Sequence, residues 1–213
     1  MGNFSFDKIF RVFEEVTDFI LLNFIWIGCT LLGVVIFGVA PSTVALLSVM
    51  RDKIMKKEKY GVVKSFWSTY KREFKKSNII GIILMILMLM VTINIMNFEA
   101  QNGTFFTVLY GVSTLAKLLI IGMSLYIFPL YVHYDMSFKE YFMKGLQLLI
   151  MRPFVTVCIA IWTFIMYLGV MLIPGLIPFL TISVYLYGIM AINYQFFMKN
   201  EDRLKSTSAN SDI

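Results

Sequence analysis

Charge, histidine and cysteine are all scarce in this chain, and each scarcity removes a class of function. Only 15% of the 213 residues are Asp, Glu, Lys or Arg, against roughly 25% in an ordinary soluble domain. Hydrophobic residues make up 59%, and the mean hydropathy is +0.77, so water is the wrong solvent for most of the sequence. The two cysteines, Cys29 and Cys158, lie inside apolar runs, where a thiol behaves as a small hydrophobe. Neither a disulfide framework nor a zinc site follows from them. The one histidine, His133, precedes Tyr134 and Asp135 and reads as an interfacial side chain rather than a general base. No G-x-x-x-x-G-K loop, dinucleotide fingerprint or H-E-x-x-H motif occurs, so nucleotide-driven and zinc-dependent chemistry have no anchor. The expectation is a protein that is not an enzyme, with no catalytic, cofactor or metal residues.

Linkers are missing too. No Gly/Ser-rich or Pro-rich stretch divides the chain, which predicts a single membrane domain over 1–213. The first eighteen residues set Asp7, Glu14, Glu15 and Asp18 against Lys8 and Arg11, unlike the basic start of a secretory signal. The first span is therefore expected to be retained, although Val39 and Ala40 would pass for a weak cleavage site.

What the sequence does have is long apolar runs. Crossing a bilayer core takes roughly 20 apolar helical residues, because unpaired backbone groups cannot be left in lipid. Five stretches qualify, at 19–40, 79–97, 105–132, 153–173 and 176–198. The predicted fold is an all-α integral membrane bundle of five transmembrane helices. A sixth segment at about 41–55, re-entrant or interfacial, is open: the run 38–43 (GVAPST) joins a helix-stopping glycine to a proline suited to a first turn. If 41–55 lies on the cytoplasmic face, there are five spans with the N-terminus outside. If it descends from an outer hairpin, there are six segments and both termini are inside.

Basic residues fix the orientation, since loops rich in Lys and Arg stay cytoplasmic. Residues 51–77 hold ten basic side chains against Asp52, Glu58 and Glu73, a net of +7 in a chain whose total is +6. Within this cytoplasmic loop Val63, Phe66, Trp67, Tyr70 and Phe74 share one helical face, with Lys64, Lys71, Arg72 and Lys75 opposite. Such a helix is expected on the inner leaflet. There Lys64, Phe66, Trp67, Tyr70, Lys71, Arg72, Phe74, Lys75 and Lys76 are the candidate contacts for anionic lipid or a partner. Tethering to membrane on both sides makes lipid, not nucleic acid, the ligand of this basic stretch. The segment 133–152 repeats the theme with Lys139, Lys144 and Arg152, and the tail 199–213 is placed in the cytoplasm, ending in the polar run 206–212, expected to be disordered. At the start of the chain, over 1–18, Phe6, Ile9, Phe10, Phe13 and Val16 recur at helical spacing, the pattern of an amphipathic interfacial helix.

An ionisable residue inside a span is a functional candidate by default, which singles out Lys117. Two readings stand: snorkelling to the outer boundary or pairing with Glu99, and lining a substrate path. Asn94, Asn97, Gln147 and Asn193 read as interhelical packing residues. Gly28, Gly33 and Gly38 fall five apart, not at the four-residue step of a close-packing motif.

The motifs GVAPSTVAL at 38–46, FWSTYKREF at 66–74, YIFPL at 126–130 and KGLQLLIMRP at 144–153 resemble those of the YesL-like proteins, over nearly the whole chain. The resemblance implies a multi-pass protein of the bacterial cytoplasmic membrane, typically of Gram-positive organisms, with no assigned activity. It also implies genes that often neighbour those for carbohydrate ABC importers and sugar-sensing systems. From this company the sequence reads as an accessory or regulatory component of carbohydrate uptake, with importer permease subunits as candidate partners. The alternative is a small, homo-oligomeric transporter or channel, with Lys117 and the helices broken at Pro129, Pro153, Pro174 and Pro178 lining its path.

Overall fold

A computed structural model describes the backbone of residues 3–57 and 61–211, with side chains over 12–57 and 61–199. Among these residues the fold is helical throughout, with no strand. Seven helices follow in order: α1 (Asn3–Leu32), α2 (Val39–Ile54), α3 (Val62–Glu99), α4 (Thr104–His133), α5 (Phe138–Met151), α6 (Pro153–Leu172) and α7 (Ile182–Ser211). Five helical segments are long and apolar enough to cross a membrane: Val12–Leu32, Val62–Glu99, Thr104–His133, Pro153–Leu172 and Pro174–Lys199. Each matches one of the five predicted spans. Their large apolar side chains point outward, as at Leu89 and Met90 on α3, Leu118 on α4 and Phe164 on α6, which a bilayer solvates and water does not.

The open segment, α2, is the centre of the bundle. Ten of its sixteen residues are buried, among them Leu46, Leu47 and Met50 at 0% exposure. It thus has no free apolar face to lay on a bilayer surface, and the interfacial version of this segment is set aside. Asp18 pairs with Lys53 at 2.5 Å and Trp26 Nε1 donates to Thr43 at 3.3 Å, so α1 and α2 run in opposite directions. Glycine makes their turn. A Cβ on Gly33 would lie 2.3 Å from the Gly38 Cα, and one on Gly38 would lie 2.2 Å from the Thr30 carbonyl oxygen. Small residues also bring α3 against α2, where a Cβ on Gly81 would come within 2.6 Å of that of Ala40. In lipid such close approach is a main source of helix–helix attraction, because burying apolar surface from lipid gains little.

Two further expectations change, and the second basic segment finds its place. Most of the aromatic face of 62–77 is turned into the bundle and only Val63 and Trp67 of it are exposed: these residues are the first half of α3, continuous with the second span. Phe66 and Tyr70 pack with Leu46, Leu47 and Met50, with Phe74 against the same cluster. The segment after His133 is mostly helix α5, laid antiparallel along α4. Tyr141 meets Tyr131 with ring centroids 5.3 Å apart, and Gly145 meets Ile127 and Met123. Finally, α7 stays helical to Ser211, through most of the run expected to be disordered, because no glycine or proline follows Gly188 before that residue. Of the N-terminal stripe, the side chains of Phe6, Ile9 and Phe10 lie outside the described residues, while Phe13 and Val16 are exposed.

One buried side chain of α1 bonds across the junction between α6 and α7. A 3₁₀ turn (Pro174–Leu176) and a π turn (Ile177–Thr181) carry the chain into α7, tighter and wider windings than the α-helix that follows. Asn23, fully buried on α1, bonds to the backbone there. Its Nδ2 donates to the carbonyls of Pro178 (2.6 Å) and Ile177 (3.3 Å), and its Oδ1 accepts from the N–H groups of Ile182 and Ser183, both at 3.1 Å.

Candidate functional site

Where the end of α2, the first half of α3, the end of α4 and the start of α5 meet, they form a half-open chamber of about 410 Å³, on whose lining Arg72, Lys76 and Asp135 are exposed. One face of α3 supplies Thr69, Arg72, Glu73 and Lys76, the spacing of 3, 4 and 7 that stacks side chains along a helix. Ser48 and Arg51 come from α2, Tyr131 from α4, and Tyr134 and Asp135 from the link into α5. Three cations and two carboxylates therefore line one small space.

Hydrogen bonds fix most of this wall. Glu73 is held on both oxygens: Tyr131 Oη donates to Oε2 at 2.6 Å and Arg72 Nε to Oε1 at 2.7 Å, charge-assisted bonds roughly twice as strong as neutral ones. Arg51 donates through Nη1 to the carbonyl of Val132 and through Nη2 to Asp52, tying α2 to the end of α4. The phenol of Tyr141, 3% exposed, accepts from the Met136 N–H at 3.0 Å and donates to the Tyr134 carbonyl at 2.8 Å, so α5 pins the link that carries Asp135. Burial holds that phenol above its ordinary pKa range, against the bond from Met136, and it stays a neutral donor at physiological pH. At the start of α5, Ser137 caps the helix, its N–H and hydroxyl both donating to Glu140 at 2.8 and 2.9 Å.

The nine residues singled out between 64 and 76 divide three ways. Arg72 and Lys76 reach the chamber. Phe66 and Tyr70 are core, with Tyr70 donating to the Cys29 carbonyl at 2.9 Å, and Phe74 packs beside them; burial removes the first two from any partner or lipid surface. Lys64, Trp67, Lys71 and Lys75 face outward, with the Lys71 ammonium 4.7 Å from the centre of the Trp67 ring. Lys117 is only partly exposed, makes no ion pair with Glu99 among the described residues, and lines neither this chamber nor a second cavity of about 540 Å³ beside Arg152 and Phe196. Arg51, Tyr131, Asp135 and Tyr141 were not singled out from the sequence as site residues, since nothing local links positions so far apart. Asn23 was missed although its signal was legible: an amide inside an apolar span must find partners.

Fold and site together define a multi-pass helical membrane protein with a charged chamber at one end of its bundle. The chain belongs to the family described as "Protein of unknown function, DUF624", whose pattern matches residues 19–95. Three proteins of Bacillus subtilis (strain 168), each described as uncharacterized, are similar to it. YesV is 38% identical over 174 residues, covering 81% of this chain and 83% of the relative. YteU is 29% identical over 197 residues, 92% and 88% of the two chains. YesL is 31% identical over 139 residues, 65% of each. The resemblance to YesL-like proteins read from the four motifs is thereby borne out. No solved structure matches.

Proposed function

We propose that this protein is an accessory or regulatory subunit of a carbohydrate uptake system in the bacterial cytoplasmic membrane, with the chamber end and the C-terminus in the cytoplasm. It acts by binding rather than by catalysis. One observation carries the reading: Arg51, Arg72 and Lys76 in the chamber and Lys64, Lys71 and Lys75 outside it gather at one end of the bundle, where positive charge marks the cytoplasmic side. The importer as partner follows from the company implied by the YesL-like resemblance, and the outward Trp67, Lys71 and Lys75 offer the contact. The transporter alternative rests on Lys117 and the proline-broken helices; Pro153 lines the second cavity, but neither described cavity reaches Lys117, so the accessory reading is preferred.

The test is purification of the tagged protein from its native membrane in mild detergent, with mass spectrometry of what co-elutes. Importer permease subunits in stoichiometric amount, lost in a Trp67→Ala, Lys71→Gln, Lys75→Gln variant, are the expected result. A protein that elutes alone as a defined oligomer overturns it, and flux with and without Lys117→Ala in proteoliposomes then decides the alternative.

A further inference from the structure

We infer that the chamber is a binding site for a polyol phosphate, a phosphoryl group carried on a hydroxyl-rich small molecule. The α3 wall provides the anion grip. Arg72 engages Glu73 through Nε, which leaves the Nη pair, the edge of the guanidinium that takes two phosphate oxygens, uncommitted among the described residues. Lys76, one turn along the same face, makes no ion pair among the described residues and adds a point charge beside it. Glu73 itself is occupied on both oxygens and acts as the fixed support that holds Arg72 in place.

The opposite wall explains why a bare anion is the wrong occupant. Asp135, on the link pinned by Tyr141, is exposed and accepts no hydrogen bond among the described residues, so its oxygens are open to the hydroxyls of a ligand, whereas its charge repels an anion that brings no donor. A ligand with a phosphate at one end and hydroxyls at the other satisfies both sets of groups, the hydroxyls donating to Asp135, with Ser48 and Thr69 also in the lining. An uncharged sugar would leave Arg72 and Lys76 unused. The volume of about 410 Å³ is at the lower end of the roughly 300–1,000 Å³ of small-molecule sites, which favours a glycerol- or sugar-sized phosphate over a nucleotide. Two sources have this chemistry: a soluble sugar or glycerol phosphate, and the head group of phosphatidylglycerol. The inference goes beyond the accessory reading and needs no partner, so it is tested on the protein alone and either can fail without the other.

The experiment uses the full chain in nanodiscs of phosphatidylcholine, with glycerol 3-phosphate, inorganic phosphate and glycerol titrated separately, and a parallel set containing phosphatidylglycerol analysed by native mass spectrometry. A soluble ligand predicts that glycerol 3-phosphate raises the unfolding midpoint and that inorganic phosphate and glycerol bind more weakly. A lipid ligand predicts a retained phosphatidylglycerol that survives delipidation. In either case Arg72→Gln with Lys76→Gln weakens binding by at least about tenfold, with helical circular dichroism unchanged. Lys71→Gln with Lys75→Gln, the same charge loss on the outward face, leaves binding intact. Asp135→Asn weakens glycerol 3-phosphate but not inorganic phosphate. Equal loss in the two double variants, no binding of any probe, or inorganic phosphate binding as tightly as glycerol 3-phosphate overturns the inference.

Discussion

Replacing Asn23 by alanine removes four hydrogen bonds at one stroke, two donated to the carbonyls of Ile177 and Pro178 and two accepted from Ile182 and Ser183. The orientation of the amide is forced, since a flipped side chain would face two carbonyls with its oxygen and two N–H groups with its nitrogen. Interhelical hydrogen bonds in bilayers average about 0.6 kcal/mol, which puts the four near 2.4 kcal/mol; the aqueous average of about 1 kcal/mol each gives ~4. The side chain is fully buried, so Asn23→Ala is expected to cost about 2–4 kcal/mol. The assay is unfolding by SDS titration in mixed micelles, followed by tryptophan fluorescence. Amide exchange at Ile182 and Ser183, whose N–H groups donate to Asn23, should accelerate in the variant. Asn23→Leu separates the causes, because leucine restores the volume and none of the bonds. Its stability should stay within about 1 kcal/mol of the alanine variant, the scatter of a single packing change. A leucine variant as stable as the native chain would show that packing, not hydrogen bonding, holds the α6–α7 junction, and would refute the reasoning.

Two further outcomes follow from the same geometry. A Cβ on Gly188 would lie 2.2 Å from the Trp162 ring, whose Nε1 donates to the Tyr185 carbonyl at 3.1 Å. Gly188→Ala should therefore displace the indole, shift its fluorescence and cost on the order of 1–3 kcal/mol, and a Trp162→Ala background should abolish most of that penalty. At the start of α5, the donors of Ser137 hold the Glu140 carboxyl below its ordinary range. A lowered folded pKa means that the stabilisation is present above the unfolded value and disappears as pH falls through the folded one. Acidification below the carboxylate range should then raise amide exchange over 138–141, and Glu140→Gln should remove that pH dependence; an unchanged profile in the variant would rule the cap out as its cause.

The sequence alone determined the five spans and the placement of most basic charge in one segment. Both follow from solvent: an apolar run of about twenty residues has no low-energy state in water, and lipid leaves it only the helix. That determination stops where lipid and protein interior offer the same apolar surroundings. The stripe of Phe66, Tyr70 and Phe74 satisfies either environment, and only the packing of α3 on α2 turns it inward. The run 39–54 is too short and too mixed to declare itself a span. The contacts of Gly33 with Gly38 and of Gly81 with Ala40 place it at the centre of the bundle, and such contacts join residues whose partners no local pattern names. The chamber has the same origin. Arg51, Arg72, Lys76, Tyr131, Asp135 and Tyr141 come from four helices and one link, and only tertiary structure sets their charges within reach of one another, because Coulombic and hydrogen-bonding forces act over a few ångströms of space, not along the chain.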